Sequence, residues 1–101
     1  MIFGKKWELS PVPVLNPKVN SRFKKDLKKY QHKQAVIDEL DKVVGLLRSK
    51  KKLPEKYKDH ALAGDYFGFR ECHVKPDVLL VYDADSEYLY LVRLGSHSEL
   101  F

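Results

Sequence analysis

Three histidines and an aspartate stand out in the second half of the chain: His60, His73, Asp77 and His97. At neutral pH an imidazole is the natural proton carrier, because its unperturbed pKa is about 6.5. Two of them, one neutral and one protonated, can remove a proton at one atom and deliver one at another. A carboxylate such as Asp77, across a tight turn from His73, can orient an imidazole or favour its charged form. Arg70 and Arg93, on expected strands, can neutralise a phosphate. Base, acid and phosphate clamp are the parts for cleaving RNA through its own 2′-hydroxyl, where the substrate supplies the nucleophile. Three histidines and an aspartate are also donors that suit zinc, but no HExxH or similarly close spacing is present. Neither a metal nor a cofactor is therefore expected. The fourth histidine, His32, lies among lysines and reads as plain surface.

Elements must bring these residues to one rim. Asn20 or Ser21 can cap a helix, and Phe23, Leu27 and Tyr30 then form one helical stripe. Val36, Ile37, Leu40, Val43, Val44 and Leu47 repeat at three and four, which predicts a second helix with a buried face. "VPVLNP" at 12–17 reads as a short strand, with Pro13 confining it to a sheet edge or a strand start. Residues 53–66 read as a long loop carrying His60. "FGFRECHV" at 67–74, "VLLVYDA" at 78–84 and "YLYLVRL" at 88–94 read as three strands joined by turns at 75–77 and 85–87. The expected class is α+β, with a helical pair packed on a small antiparallel sheet. Gly95 is expected to let the chain turn away from the last strand. Leu100 then serves as a core plug, while Phe101 either plugs the core or stacks on a base.

With 101 residues the chain makes one domain, 1–101, in which 1–11 read as an extension. A core this modest leaves no room for a large internal pocket, so a surface groove is expected. The net charge is +5, and between positions 18 and 58 bases outnumber acids by fourteen to five. Lys24, Lys25, Lys28 and Lys29 on the first helix, and Lys50–Lys52 after the second, suit a polyanion such as nucleic acid. The single cysteine, Cys72, allows neither an intramolecular disulfide nor a cysteine zinc cluster. The first residues lack the apolar stretch of a signal peptide, and no run approaches 18 apolar residues. A cytoplasmic protein without a membrane partner is expected.

The order of residues adds to their spacing. Positions 57 to 101 carry YKDH-x-L-x-G, then G-x-R-x-x-HV-x-PD, then L-x-VY, then R-x-G-S-H-x-x-LF. This pattern resembles the YafQ branch of the RelE/ParE toxin superfamily, over roughly residues 12 to 101. The resemblance implies a RelE-like fold and a toxin of a type II toxin–antitoxin pair. It implies a metal-independent endoribonuclease that cuts mRNA in the ribosomal A site. It also implies two partners, the ribosome with its mRNA and a small acidic, partly disordered antitoxin. The family's active-site residues match His60, His73, Asp77, His97 and Phe101. Its acidic position after the strand arginine is Glu71 here, longer than the usual aspartate. The position after Pro-Asp, often Trp in relatives, is Val78. Two alternatives stay open: a non-enzymatic module that binds an antitoxin and regulates an operon, and a ParE-like gyrase poison, against which the three histidines argue.

Overall fold

The computed structural model describes residues 15–101. The expected extension and the first half of the expected strand at 12–17 lie outside the described residues, and the strand that is described, β1, spans Asn16–Val19. Asn20 caps the next element, α1 (Ser21–Lys28), its side chain accepting from the Phe23 amide at 2.7 Å. A short turn leads to α2 (Gln34–Arg48). Residues 53–66 are more ordered than a plain loop: they hold 3-10 turns at Glu55–Tyr57 and Gly64–Tyr66, with the two-residue strand β2 (His60–Ala61) between them. Then come β3 (Arg70–Lys75), β4 (Val78–Ala84) and β5 (Tyr88–Gly95). The strand expected from residue 67 starts at Arg70, because residues 67–69 belong to the preceding turn. The tail folds into a single helical turn, α3 (His97–Leu100).

The sheet order is β1-β5-β4-β3-β2, with β1 parallel to β5 and every other pairing antiparallel. Pro17 is compatible with β1 because that strand is an edge. Side chains alternate across the sheet, so each strand serves two faces. Cys72, Val74, Val78, Leu80, Tyr82, Leu89, Leu91 and Leu94 pack with Phe23, Ile37, Leu40, Val43 and Val44 of the helices. Burial pushes the Cys72 thiol well above its ordinary range, which leaves it an inert core residue. On the opposite face Leu79 and Val81 are covered by Leu100, with Leu62, Tyr66, Phe69 and Val92 around them.

One ion pair locks α1 to the sheet. At Val92 a bulge places Val81 opposite Arg93 and Tyr82 opposite Leu91. The Asp26 carboxylate receives Arg93 Nε at 2.8 Å, Arg93 Nη2 at 3.3 Å and the Leu94 amide at 3.0 Å. Asp26 is 5% exposed, so these three donors replace its water. The bond to Asp26 in turn raises the Arg93 pKa, keeping the guanidinium charged.

Candidate active site

The loop before β3 is pinned at two points. Tyr57 donates its hydroxyl to Glu39 of α2 at 2.5 Å, and Tyr82 of β4 donates to Asp59 at 2.5 Å. Arg70 adds bonds from Nε and Nη2 to Asp59, both 3.3 Å. Burial, and then the bond to Asp59, push the Tyr82 phenol far above its ordinary range, so it stays a donor. Between these anchors Lys58 takes a left-handed conformation, φ 49°. Its carbonyl lies 2.7 Å from His60 Nδ1. A carbonyl only accepts, so Nδ1 carries the hydrogen and Nε2 is the nitrogen left to exchange a proton.

Register then assembles the cluster. His60 lies directly opposite Glu71 on β3, and His73 follows two residues along on the same face. Glu71 is buried, and its Oε1 stands 3.4 Å from His60 Nε2 and 3.9 Å from His73 Nε2. One carboxylate oxygen therefore stands within ion-pair range of two imidazoles and favours a positive charge on either. This is the residue that reasoning from sequence left without a role. Asp77, expected to be the orienting carboxylate, borders the same cleft at the β3–β4 turn, but the carboxylate that reaches the imidazoles is Glu71.

His97 arrives from the other side. His73 pairs with Leu79 and Leu79 with Gly95, so a straight row crosses three strands to the start of the tail. Ser96 and Glu99 then close a capping box: the Ser96 side chain accepts from the Glu99 amide, and the Ser96 amide donates to Glu99 Oε1 at 2.9 Å. That bond lowers the Glu99 pKa, and Lys29, which caps the end of α1, adds an ion pair at 3.6 Å. Gly95 allows a close approach: a Cβ there would meet Glu99 Oε1 and Leu100 Cδ2, each at 3.2 Å, and both side chains would have to shift. Leu100 is buried as the plug, while Phe101 is half exposed, 5.2 Å from the His97 ring between centroids. An open cleft of about 480 Å³ results, with Glu71, His73 and Asp77 on one side and His97 on the other.

The remaining expected residues lie elsewhere. Arg93 and Arg70 both commit their Nε–Nη2 fork to a carboxylate, Asp26 and Asp59 respectively, so neither presents a free bidentate clamp. Lys24, Lys25 and Lys28 are exposed on α1, and Lys29 is shared with Glu99. His32 is exposed on the link between the helices. Val78 is buried against the helices and offers no surface at the cleft. Among the described residues no group of three or more His, Cys, Asp or Glu is arranged to hold a metal ion, and no helix is long and apolar enough to cross a membrane.

The cleft is lined by groups able to accept or donate a proton and lies on a small basic α+β scaffold. Residues 15–101 match the family described as the bacterial toxin of type II toxin–antitoxin system, YafQ, and the chain belongs to that family. It is 35% identical over 83 residues to the mRNA interferase toxin YafQ of Escherichia coli K12, a match covering 81% of this chain and 90% of that protein. Its fold is similar to a copper-bound mutant toxin from Helicobacter pylori, with TM-score 0.81 and 45% identity over 86% of this chain and 99% of that one. It is also similar to a chain of the Escherichia coli DinJ–YafQ toxin–antitoxin complex, with TM-score 0.77 and 33% identity over 86% of this chain and 97% of that one.

Proposed function

We propose that this toxin is an endoribonuclease that cuts mRNA on the ribosome, in the A site, and so blocks translation. The observation that carries the reading is the cleft itself, lined by Glu71, His73, Asp77 and His97, with His60 reaching the same Glu71 oxygen. One imidazole takes the proton of the 2′-hydroxyl as its oxygen attacks phosphorus. Another gives a proton to the 5′-oxygen as the P–O5′ bond breaks. The products are a 2′,3′-cyclic phosphate and a 5′-hydroxyl. Asp77 and Phe101 border the reacting atoms, and Arg70 and Arg93 contribute positive field rather than a fork. The cleft is too open to orient RNA alone, so the ribosome supplies alignment, a large part of any catalytic gain. The relative's name supports the reaction class, and the DinJ–YafQ complex supports an antitoxin as the partner that neutralises it.

The test is the chemistry of the ends. Fragments of translated mRNA should carry a 5′-hydroxyl and a cyclic or 3′-phosphate. EDTA should not slow the cut while the ribosome's own magnesium is maintained. A 5′-phosphate would mean an activated water and a metal, and sinks the proposed mechanism. No cut at all, with an antitoxin still bound, would favour the non-enzymatic module.

Docking rests on the basic helix. Reversing Lys24, Lys25 and Lys28 to glutamate should weaken ribosome binding and flatten its salt dependence. The log–log slope should fall by about 2 if three phosphate contacts are lost. Lys29 is left alone because it holds Glu99. An unchanged salt series for the triple variant would make that helix a merely solvated face.

A further inference from the structure

We infer that Phe67 is a second base-stacking ring, forming with Phe101 a subsite for an unpaired nucleobase beside the cleaved position; this rests on the RNA-cleaving reading above. Among the described residues the only exposed large apolar side chains are Phe67, 82% exposed, and Phe101, 49% exposed. Phe101 belongs to an aromatic arrangement that reaches the turn carrying Phe67. Tyr66 packs its edge on Phe101, centroids 5.1 Å apart at 72°, and its hydroxyl donates to the Leu100 carbonyl at 3.5 Å. Phe101 in turn leans on His97. The backbone that carries Phe67 is therefore anchored, one residue away at Tyr66, to the ring that leans on His97.

The exposure of Phe67 is built into the turn. The Phe67 amide donates to the Gly64 carbonyl at 3.0 Å, the Phe69 amide to the Tyr66 carbonyl at 3.0 Å and the Leu62 amide to the Phe69 carbonyl at 2.9 Å. Gly64 and Gly68 flank the ring at φ +67° and +98°, a conformation other residues rarely adopt. Tyr66 and Phe69 pack on the apolar cluster around Leu79 and Val81, and Phe67 between them is turned out to water. A large ring held in solvent by a fixed backbone loses its hydrophobic gain until a flat apolar partner covers it. A nucleobase is that partner: stacking tolerates any base, the turn leads straight into Arg70, and the surface is basic overall.

Stacking on one ring corresponds to about 5- to 150-fold in affinity. Phe67→Leu keeps an apolar side chain but no ring; Phe67→Trp keeps the ring. With ribosomes programmed with mRNA, Phe67→Leu should raise the half-saturating toxin concentration by about 5-fold or more at an unchanged maximal rate, and Phe67→Trp should match the parent. A 2-aminopurine next to a 2′-deoxy, uncleavable position should be quenched by the parent and by Phe67→Trp, and not by Phe67→Leu. Leucine performing like phenylalanine in both assays overturns the stacking ring. So does a loss confined to antitoxin affinity, which would make Phe67 a protein contact. A parent that quenches through Phe67 but never cuts leaves the subsite standing and removes the catalytic reading instead.

Discussion

His97→Ala should slow cleavage of ribosome-bound mRNA by about 10²- to 10⁴-fold, the usual contribution of a placed proton-transfer group. The same change should leave thermal unfolding almost where it is. His97 is exposed, and the turn that carries it is held by Ser96, Glu99 and the buried Leu100 rather than by the imidazole. His73→Ala should behave alike, since that ring lines the cleft and the core side of β3 is built by Cys72 and Val74. His32→Ala, far along the chain on an exposed link, is the control and should keep full activity. Single-turnover rates and melting curves on the three proteins decide the matter. If His32→Ala loses as much as the other two, stability has been mistaken for catalysis.

Asp26→Ala should be the most destabilising change available in the polar residues of α1, at about 3 kcal/mol. It strips a nearly buried guanidinium, whose side chain is 13% exposed, of its counter-charge, and orphans the Leu94 amide. In a domain of this size that lowers the melting temperature by roughly 12–24 °C. Asp26→Asn keeps the shape and one acceptor oxygen, so it should fall between Asp26→Ala and the parent. A melting shift of only a degree or two for Asp26→Ala would mean that Arg93 finds water or another acceptor, and that the lock between α1 and β5 is weak.

Much of this was readable in the residues, for reasons that vary with the element. The stripes Phe23–Leu27–Tyr30 and Val36–Leu47 are long enough for a 3.6 period to show, and the apolar run of β4 marks a central strand. His60, His73 and His97 were legible by type, because few residues do proton transfer at neutral pH. The role of Glu71 was not, since it depends on the register between a two-residue strand and β3, and two residues have no period. The engagement of Arg93 was equally hidden: its partner is 67 residues away, and no local pattern connects them. The tail helix is a different case. Ser96 and Glu99 spell a capping box in the sequence, but four residues are too few to read as a helix without it. The exposure of Phe67 was masked by an aromatic run that looks like the start of a strand.

The parallel pairing of β1 with β5 bears on when this molecule becomes dangerous. Residues 16–19 pair with residues 88–91, so almost the whole described chain lies between the two strands of that contact. Closing so large a loop is entropically slow, and its reward comes only when the second strand exists. A nascent chain synthesised as far as residue 87 has no β5 for β1 to join, no partner for Asp26 and no His97. The order of synthesis thus makes the tail that carries His97 the last part of the described fold to form.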